Sequence, residues 1–152
     1  MEEVGGREGA GAARRTLALD YGDRRIGMAL SDPGGVAAGP LMTLRRTTRE
    51  RDMGQILEVV RVHEVGRIVV GLPLEMDGTR RARARITETF MNRLRGAIRI
   101  PVIPWDERLT TVQAERVLLE GDVSRARRRR VIDQVAAVII LQAFLDAERG
   151  AA

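Results

Sequence analysis

Between Thr16 and Ser31 the chain alternates apolar with other residues at a period of two, turns, and alternates again. Leu17, Leu19 and Tyr21 share one face of the first run, and Thr16, Ala18 and Asp20 share the other. Ile26, Met28 and Leu30 carry the second run. Gly22-Asp23 lies between them, and a glycine there predicts a turn that uses its freedom to reach positive φ. The stretch reads as a β-hairpin whose first strand ends on a carboxylate, Asp20. A carboxylate in apolar surroundings is costly unless it is paired, hydrogen-bonded or bound to a cation. The remaining chain must give Asp20 such a partner.

Asp32-Pro33-Gly34-Gly35 marks a second turn, and Val36 to Leu44 is expected as a third antiparallel strand. Pro40 puts that strand at an edge or makes its start irregular. Thr47 with Glu50 has the spacing of a capping box. Met53, Ile56, Leu57 and Val60 then predict a helix over 48–63, with Arg49, Arg51, Asp52 and Glu58 on its solvent face. Arg67 to Pro73 reads as a buried parallel strand reached by that crossover. A loop over 74–79 leads to a second helix. Its inner row is expected to be Ala82, Ile86, Phe90 and Leu94, with Arg80, Arg81, Arg83 and Arg85 near its start. Ile100 to Pro104 is a further short strand. Thr110 and Gln113 form another capping-box pattern, opening a helix through Leu119 that stops at Gly121. The last helix follows the run Arg125 to Arg130 and continues to about Ala147. It is apolar all round from Val135 to Leu141, so it packs into the body of the protein.

Three strands, helix, strand, helix, strand, helix, helix predict an α/β fold, a mixed sheet of five strands with helices on its faces. A chain of 152 residues is expected to form one domain, over 15–149, behind a disordered tail of residues 1–14. With 44% hydrophobic but 3% aromatic residues, its core must be mainly aliphatic.

There is no cysteine and one histidine, His63, which reads as an ordinary helix-end residue. Disulfide scaffolds, thiolate nucleophiles and Cys- or His-rich zinc sites are thereby excluded. The N-terminal segment lacks the apolar run of a signal peptide, and nothing approaches a membrane span. A soluble, cytoplasmic protein without a membrane partner is expected. The formal charge is +5, and all 26 basic residues are arginine. Arginine's planar fork suits phosphate, so nucleic acid is the expected partner.

Three carboxylates stand where the pattern expects apolar residues or a strand end. Asp20 closes the first strand, Glu107 follows the last, and Asp133 lies on a helix row with Ala136, Ala137, Ile140 and Leu141. The carboxyl ends of neighbouring parallel strands open into one crevice, where folds of this class bind ligands. Oxygen ligands without His or Cys suit a hard cation, Mg²⁺ or Mn²⁺, as in metal-assisted phosphodiester cleavage. Trp105 reads as packing, and Asp77 and Asp106 as turn residues.

Four ordered segments carry a resemblance: Asp20 to Gly27, Val70 to Leu74 with Met76 to Thr79, Asp106 to Thr111, and Asp133 to Ala137. Together they resemble the motifs of the YqgF family, also called the RuvX-type Holliday junction resolvases or pre-16S rRNA nucleases. The resemblance covers residues 16 to 147. It implies a ribonuclease H-like fold and a metal-dependent nuclease with Asp20, Glu107 and Asp133 as catalytic, metal-holding carboxylates. The implied substrate is the 5′ end of precursor 16S rRNA; the rival readings are resolution of four-way DNA and, from another class, a non-catalytic nucleic-acid binder. Glu75 stands where the family usually has Asn. In this reading Arg24, Arg25, Arg108 and the run Arg127, Arg128, Arg129 and Arg130 position phosphates, and the protein acts as a monomer or homodimer.

Overall fold

A computed structural model describes residues 15–74, 81–110 and 125–151, with the last helix traced by its backbone alone over 125–133 and at 151. The elements run β1 (Arg15–Tyr21), β2 (Arg25–Ser31), β3 (Ala38–Arg45), α1 (Arg49–Val62), β4 (Val65–Leu72), α2 (Ala82–Ala97), β5 (Val102–Asp106) and α3 (Arg125–Ala151). The strands form one sheet in the order β3-β2-β1-β4-β5. β1 pairs antiparallel with β2 and β2 with β3, whereas β4 runs parallel to both β1 and β5. This is the mixed five-stranded sheet that the element order predicts. The tail at 1–14, the loop at 75–80 and the helix expected after Thr110 lie outside the described residues.

The period of two in β1 separates two cores. Leu17, Leu19 and Tyr21, with Ile26, Met28, Ile68 and Val70, meet Ile56 of α1 and Phe90, Met91 and Leu94 of α2. Ala18, Ala29 and Val69 face the opposite way, against Ala137, Ile140, Leu141, Phe144 and Leu145 of α3. The difference in residue size has a geometric effect. Alanines on both helix and sheet let α3 approach closely, while the larger aliphatics hold α1 and α2 further off. Each fully buried leucine or isoleucine contributes about 1.5–3 kcal/mol by leaving water.

Several local expectations are met and others are displaced. Pro40 lies on the edge strand, where the register slips between Met28↔Met42 and Ala29↔Pro40. His63 is the C-cap of α1, and Glu64 follows at φ 54° to bring the chain sharply into β4. The cap of α1 is Thr48 rather than Thr47: its hydroxyl accepts from the Arg51 amide at 3.1 Å. Asp52, expected on the solvent face, is buried because it reaches back to accept from the Thr47 amide at 2.9 Å and hydroxyl at 3.2 Å. The inner face of α2 is also rotated. Ala84, Thr87, Phe90, Met91 and Leu94 are buried, while Ala82 is exposed and Ile86 is 45% exposed. Phe90 anchors this rotation by stacking on Tyr21, with ring centroids 4.0 Å apart.

Candidate nuclease site

Asp20 is the next-to-last residue of β1, opposite Gly27 of β2, and shares the α3 side of the strand with Ala18. The turn beyond it is tight, with the Gly22 amide donating to the Arg25 carbonyl at 2.8 Å. Gly22 does not adopt the positive φ that the sequence suggested. Among the described glycines only Gly35 does. A Cβ at Gly22 would stand 2.8 Å from the Arg25 carbonyl oxygen, so a close backbone approach is what requires glycine. Arg46 braces the same turn, donating to the carbonyls of Gly22 at 2.8 Å and Asp23 at 2.9 Å. Its guanidinium also lies 4.4 Å from the centre of the Tyr21 ring.

Glu107 approaches from the other side. β5 ends at Asp106, whose carboxylate caps a short 3-10 turn by accepting from the Arg108 amide at 2.9 Å. The Arg108 guanidinium folds onto the same carboxylate at 2.6 Å, and this contact first of all lowers the Asp106 pKa below the ordinary carboxylate value. Thr110 pins the turn from below, its amide and hydroxyl donating to the Glu107 carbonyl at 3.2 and 2.9 Å. With Asp106 held outward, Glu107 points inward and is 2% exposed. Its Oε2 stands 2.8 Å from the position a Cβ would take on Gly71, the β4 residue paired with Trp105. The absent side chain at Gly71 is the space this carboxylate uses.

Asp20, at 5% exposure, and Glu107 line one cavity of about 210 Å³, together with Gly71, Pro73, the hairpin residues Tyr21 to Asp23, and Arg83 of α2. The cavity lies at the carboxyl ends of β1 and β4, where ligands of such sheets are expected. Two carboxylates withdrawn from water into one cavity are a hard-oxygen donor set, and the absent side chain of Gly71 leaves room for the Glu107 carboxylate beside β4. The residues present therefore fit a hard divalent cation. Among the described residues no group of three metal-type side chains is gathered. The side chains of Asp133 and of Arg127, Arg128, Arg129 and Arg130 lie outside the described residues, although their backbones belong to α3.

Of the other expected residues, Arg24, Arg25 and Arg108 stand outside the described lining of the cavity. Arg24 is exposed on the hairpin turn, and Arg25 pairs with Arg45 in the ladder. Two lining residues escape the sequence reading. Gly71 is hidden as one small residue within an apolar run. Arg83 is one arginine among several at the start of α2, where cations oppose the helix dipole, and that misplacement was its only signal. Trp105 packs edge-on against Phe144, as expected of a packing residue.

Comparison with known proteins agrees with this architecture. A family model described as "RuvX: Holliday junction resolvase" matches residues 14–147. A protein of Symbiobacterium thermophilum named "Putative pre-16S rRNA nuclease" is 54% identical over 129 residues, covering 85% of this chain and 90% of that protein. Proteins of the same name from Thermoanaerobacter pseudethanolicus and Myxococcus xanthus are 46% and 50% identical, each over 89% of this chain and over 98% and 89% of their own lengths. Among solved structures, Thermus thermophilus RuvC in complex with a Holliday junction substrate superposes with a TM-score of 0.58 at 15% identity, over 90% of this chain and 96% of that one. At that identity the likeness establishes the fold, which is the ribonuclease H-like arrangement.

Proposed function

The chain belongs to the RuvX family of Holliday junction resolvases, and on that premise we propose that it is a divalent-metal-dependent nuclease maturing the 5′ end of precursor 16S rRNA. The observation that carries the catalytic reading is the convergence of Asp20 and Glu107, both buried, on one cavity at the carboxyl ends of parallel strands. The names of the relatives support the rRNA substrate.

In this reading Asp20 and Glu107 hold the ion, Mg²⁺ or Mn²⁺, and Asp133 of α3 is the third carboxylate. When bound, such an ion supplies Lewis-acid stabilisation of the charge that builds on phosphate oxygens. The chain's own residues do the remaining work. Gly71 leaves Glu107 its place, and the Asp106–Arg108 pair with Thr110 fixes the turn that aims it. The Arg46 brace holds the turn after Asp20. Arg24, Arg25, Arg108 and Arg127 to Arg130 draw the nucleic-acid backbone toward the site through a salt-sensitive attraction. Among the described residues no helix is long and apolar enough to cross a membrane, and the place of action is the cytoplasm, with its ribosomal RNA.

The family description favours a second reading, cleavage of four-way DNA, which needs two paired cuts and hence a homodimer at least on the junction. One experiment separates the readings. Labelled precursor RNA and a labelled four-way junction are offered side by side with Mg²⁺, Mn²⁺ or EDTA. Metal-dependent cutting of the RNA, lost in Asp20→Asn, is the expected result. Symmetric paired cuts in the junction with intact RNA would move the assignment to the resolvase. Salt-sensitive binding of both with no cutting under any metal would leave a nucleic-acid binder.

A further inference from the structure

Arg83 at the cavity makes one contact that a nucleic-acid strand can take over. Its guanidinium divides between two partners. Nη2 donates to the Tyr21 carbonyl at 2.6 Å, and Nη1 donates to the Asp23 carboxylate. The two arms differ in kind. Tyr21 belongs to β1 and its ring is buried between Arg46 and Phe90, so its carbonyl is a fixed anchor. The Asp23 side chain is 81% exposed on the hairpin turn, and an ion pair that open to water holds weakly.

The charges around the cavity give the pair its meaning. Its described lining contains three carboxylates, Asp20, Asp23 and Glu107, and one cation, Arg83. Apart from an ion held by Asp20 and Glu107, Arg83 is the one positive charge that a phosphodiester meets on this described lining. Resting on the nuclease reading above, we propose that Arg83 is a substrate-binding residue of this site and that Asp23 is its placeholder. A backbone phosphate of the bound strand takes the Nη1 donor from Asp23, while Nη2 stays on the Tyr21 carbonyl. One singly charged anion replaces another on the guanidinium, whose fork suits phosphate as well as carboxylate. The displaced Asp23 carboxylate turns into water, which already surrounds it. The anchored arm matters as much as the exchanged one: it fixes the guanidinium on the backbone of the residue directly after Asp20. The held phosphate is thus registered against the catalytic carboxylate.

The test measures binding without cleavage, in an Asp20→Asn background, for the precursor RNA and the four-way junction across a range of salt. Arg83→Gln is expected to weaken binding and to flatten the dependence of log K on log salt by about 0.7–0.9, the loss of one phosphate contact. Arg83→Lys keeps the charge and should keep most of that slope. Asp23→Asn should tighten binding several-fold when Arg83 is present and distinctly less in Arg83→Gln. The proposal is overturned by a slope that Arg83→Gln leaves unchanged in a protein that still binds. It is equally overturned if Asp23→Asn tightens binding alike in both backgrounds, for then Asp23 acts by its own charge. Absence of any binding by the Asp20→Asn protein and by wild type would remove the nuclease reading itself, and this inference with it. Thermal melts of each variant guard against a collapsed hairpin being read as lost contact.

Discussion

The Glu107 carboxylate occupies the room that a side chain on Gly71 would need: Oε2 lies 2.8 Å from the ideal Cβ position. The Cδ1 atom of Ile140 comes even closer to that point, at 2.5 Å. One missing methyl on β4 therefore serves the site and the α3 packing together. Gly71→Ala is expected to displace Glu107 or Ile140, costing about 1–3 kcal/mol of stability and most of the cleavage activity. Gly39→Ala, where nothing lies within 4 Å, is the control and should change neither. Denaturant unfolding and cleavage rates, measured on both variants, check this.

Asp20→Asn and Glu107→Gln remove charge while keeping shape. Each is expected to lower cleavage by roughly 100-fold or more, since even the partners of metal ligands are worth 10- to 100-fold. Both variants should still unfold cooperatively in EDTA, which separates lost chemistry from lost folding. Wild type should also gain stability on adding Mg²⁺ or Mn²⁺, by about 2.7 kcal/mol when the ion is at 100 times its Kd. The double variant should show no such gain in a thermal shift titration. A gain that persists in it would mean that the ion sits elsewhere.

The Arg46 side chain binds two successive carbonyls of the hairpin turn and lies over Tyr21. Arg46→Ala should cost about 1–3 kcal/mol in chemical denaturation, the range for hydrogen bonds to a charged group that are left unmade. Cleavage should fall as well, because the braced turn begins at Gly22, two residues after Asp20. Arg46→Lys should restore little, since an ammonium lacks the planar fork.

Capping of α1 offers a test away from the site. Thr48→Ala should cost about 1 kcal/mol, the usual value of an N-cap, whereas Thr47→Ser keeps the hydroxyl bonded to Asp52 and should be nearly neutral. Cleavage per folded molecule should be unchanged in both.

The Asp106–Arg108 pair gives a pH signature. The folded pKa of Asp106 is depressed, so the pair stabilises the protein above the unfolded carboxylate pKa of about 4. That stability is lost as pH falls through the lowered folded value. The stability gap between wild type and Asp106→Asn should therefore be full at pH 7 and close in acid below about pH 4. A gap that widens on acidification would contradict the assignment.

The sequence made Asp20 and Glu107 visible because each interrupts an apolar pattern at a strand end, and strand order alone puts such ends together. It concealed what depends on atoms rather than periodicity. Asp52 looks like a solvent-face residue by its helix angle, yet its side chain curls back to the cap and is buried. The inner row of α2 was misread because Ala82 and Ile86 fit the spacing as well as the true row does. Stacking of Phe90 on Tyr21 decides between them, and no periodicity contains that contact. Gly22 was recognised as needing glycine for the wrong reason, since closeness of the Arg25 carbonyl cannot be read from a turn signature.

The covering of the sheet by α3 also orders events during synthesis. Ala18, Ala29 and Val69 belong to strands made early, but the residues that cover them, Ala137 to Leu145, belong to α3, which is made after all five strands of the sheet. On the ribosome, one side of the nascent sheet is bare and apolar until that helix has left the exit tunnel, a sticky interval that invites chaperones. The neighbours of Gly71 include Ile140, so the pocket around Glu107 cannot take its final form earlier. A chain built this way cannot complete the pocket around Glu107 from its strands alone; the pocket waits for α3.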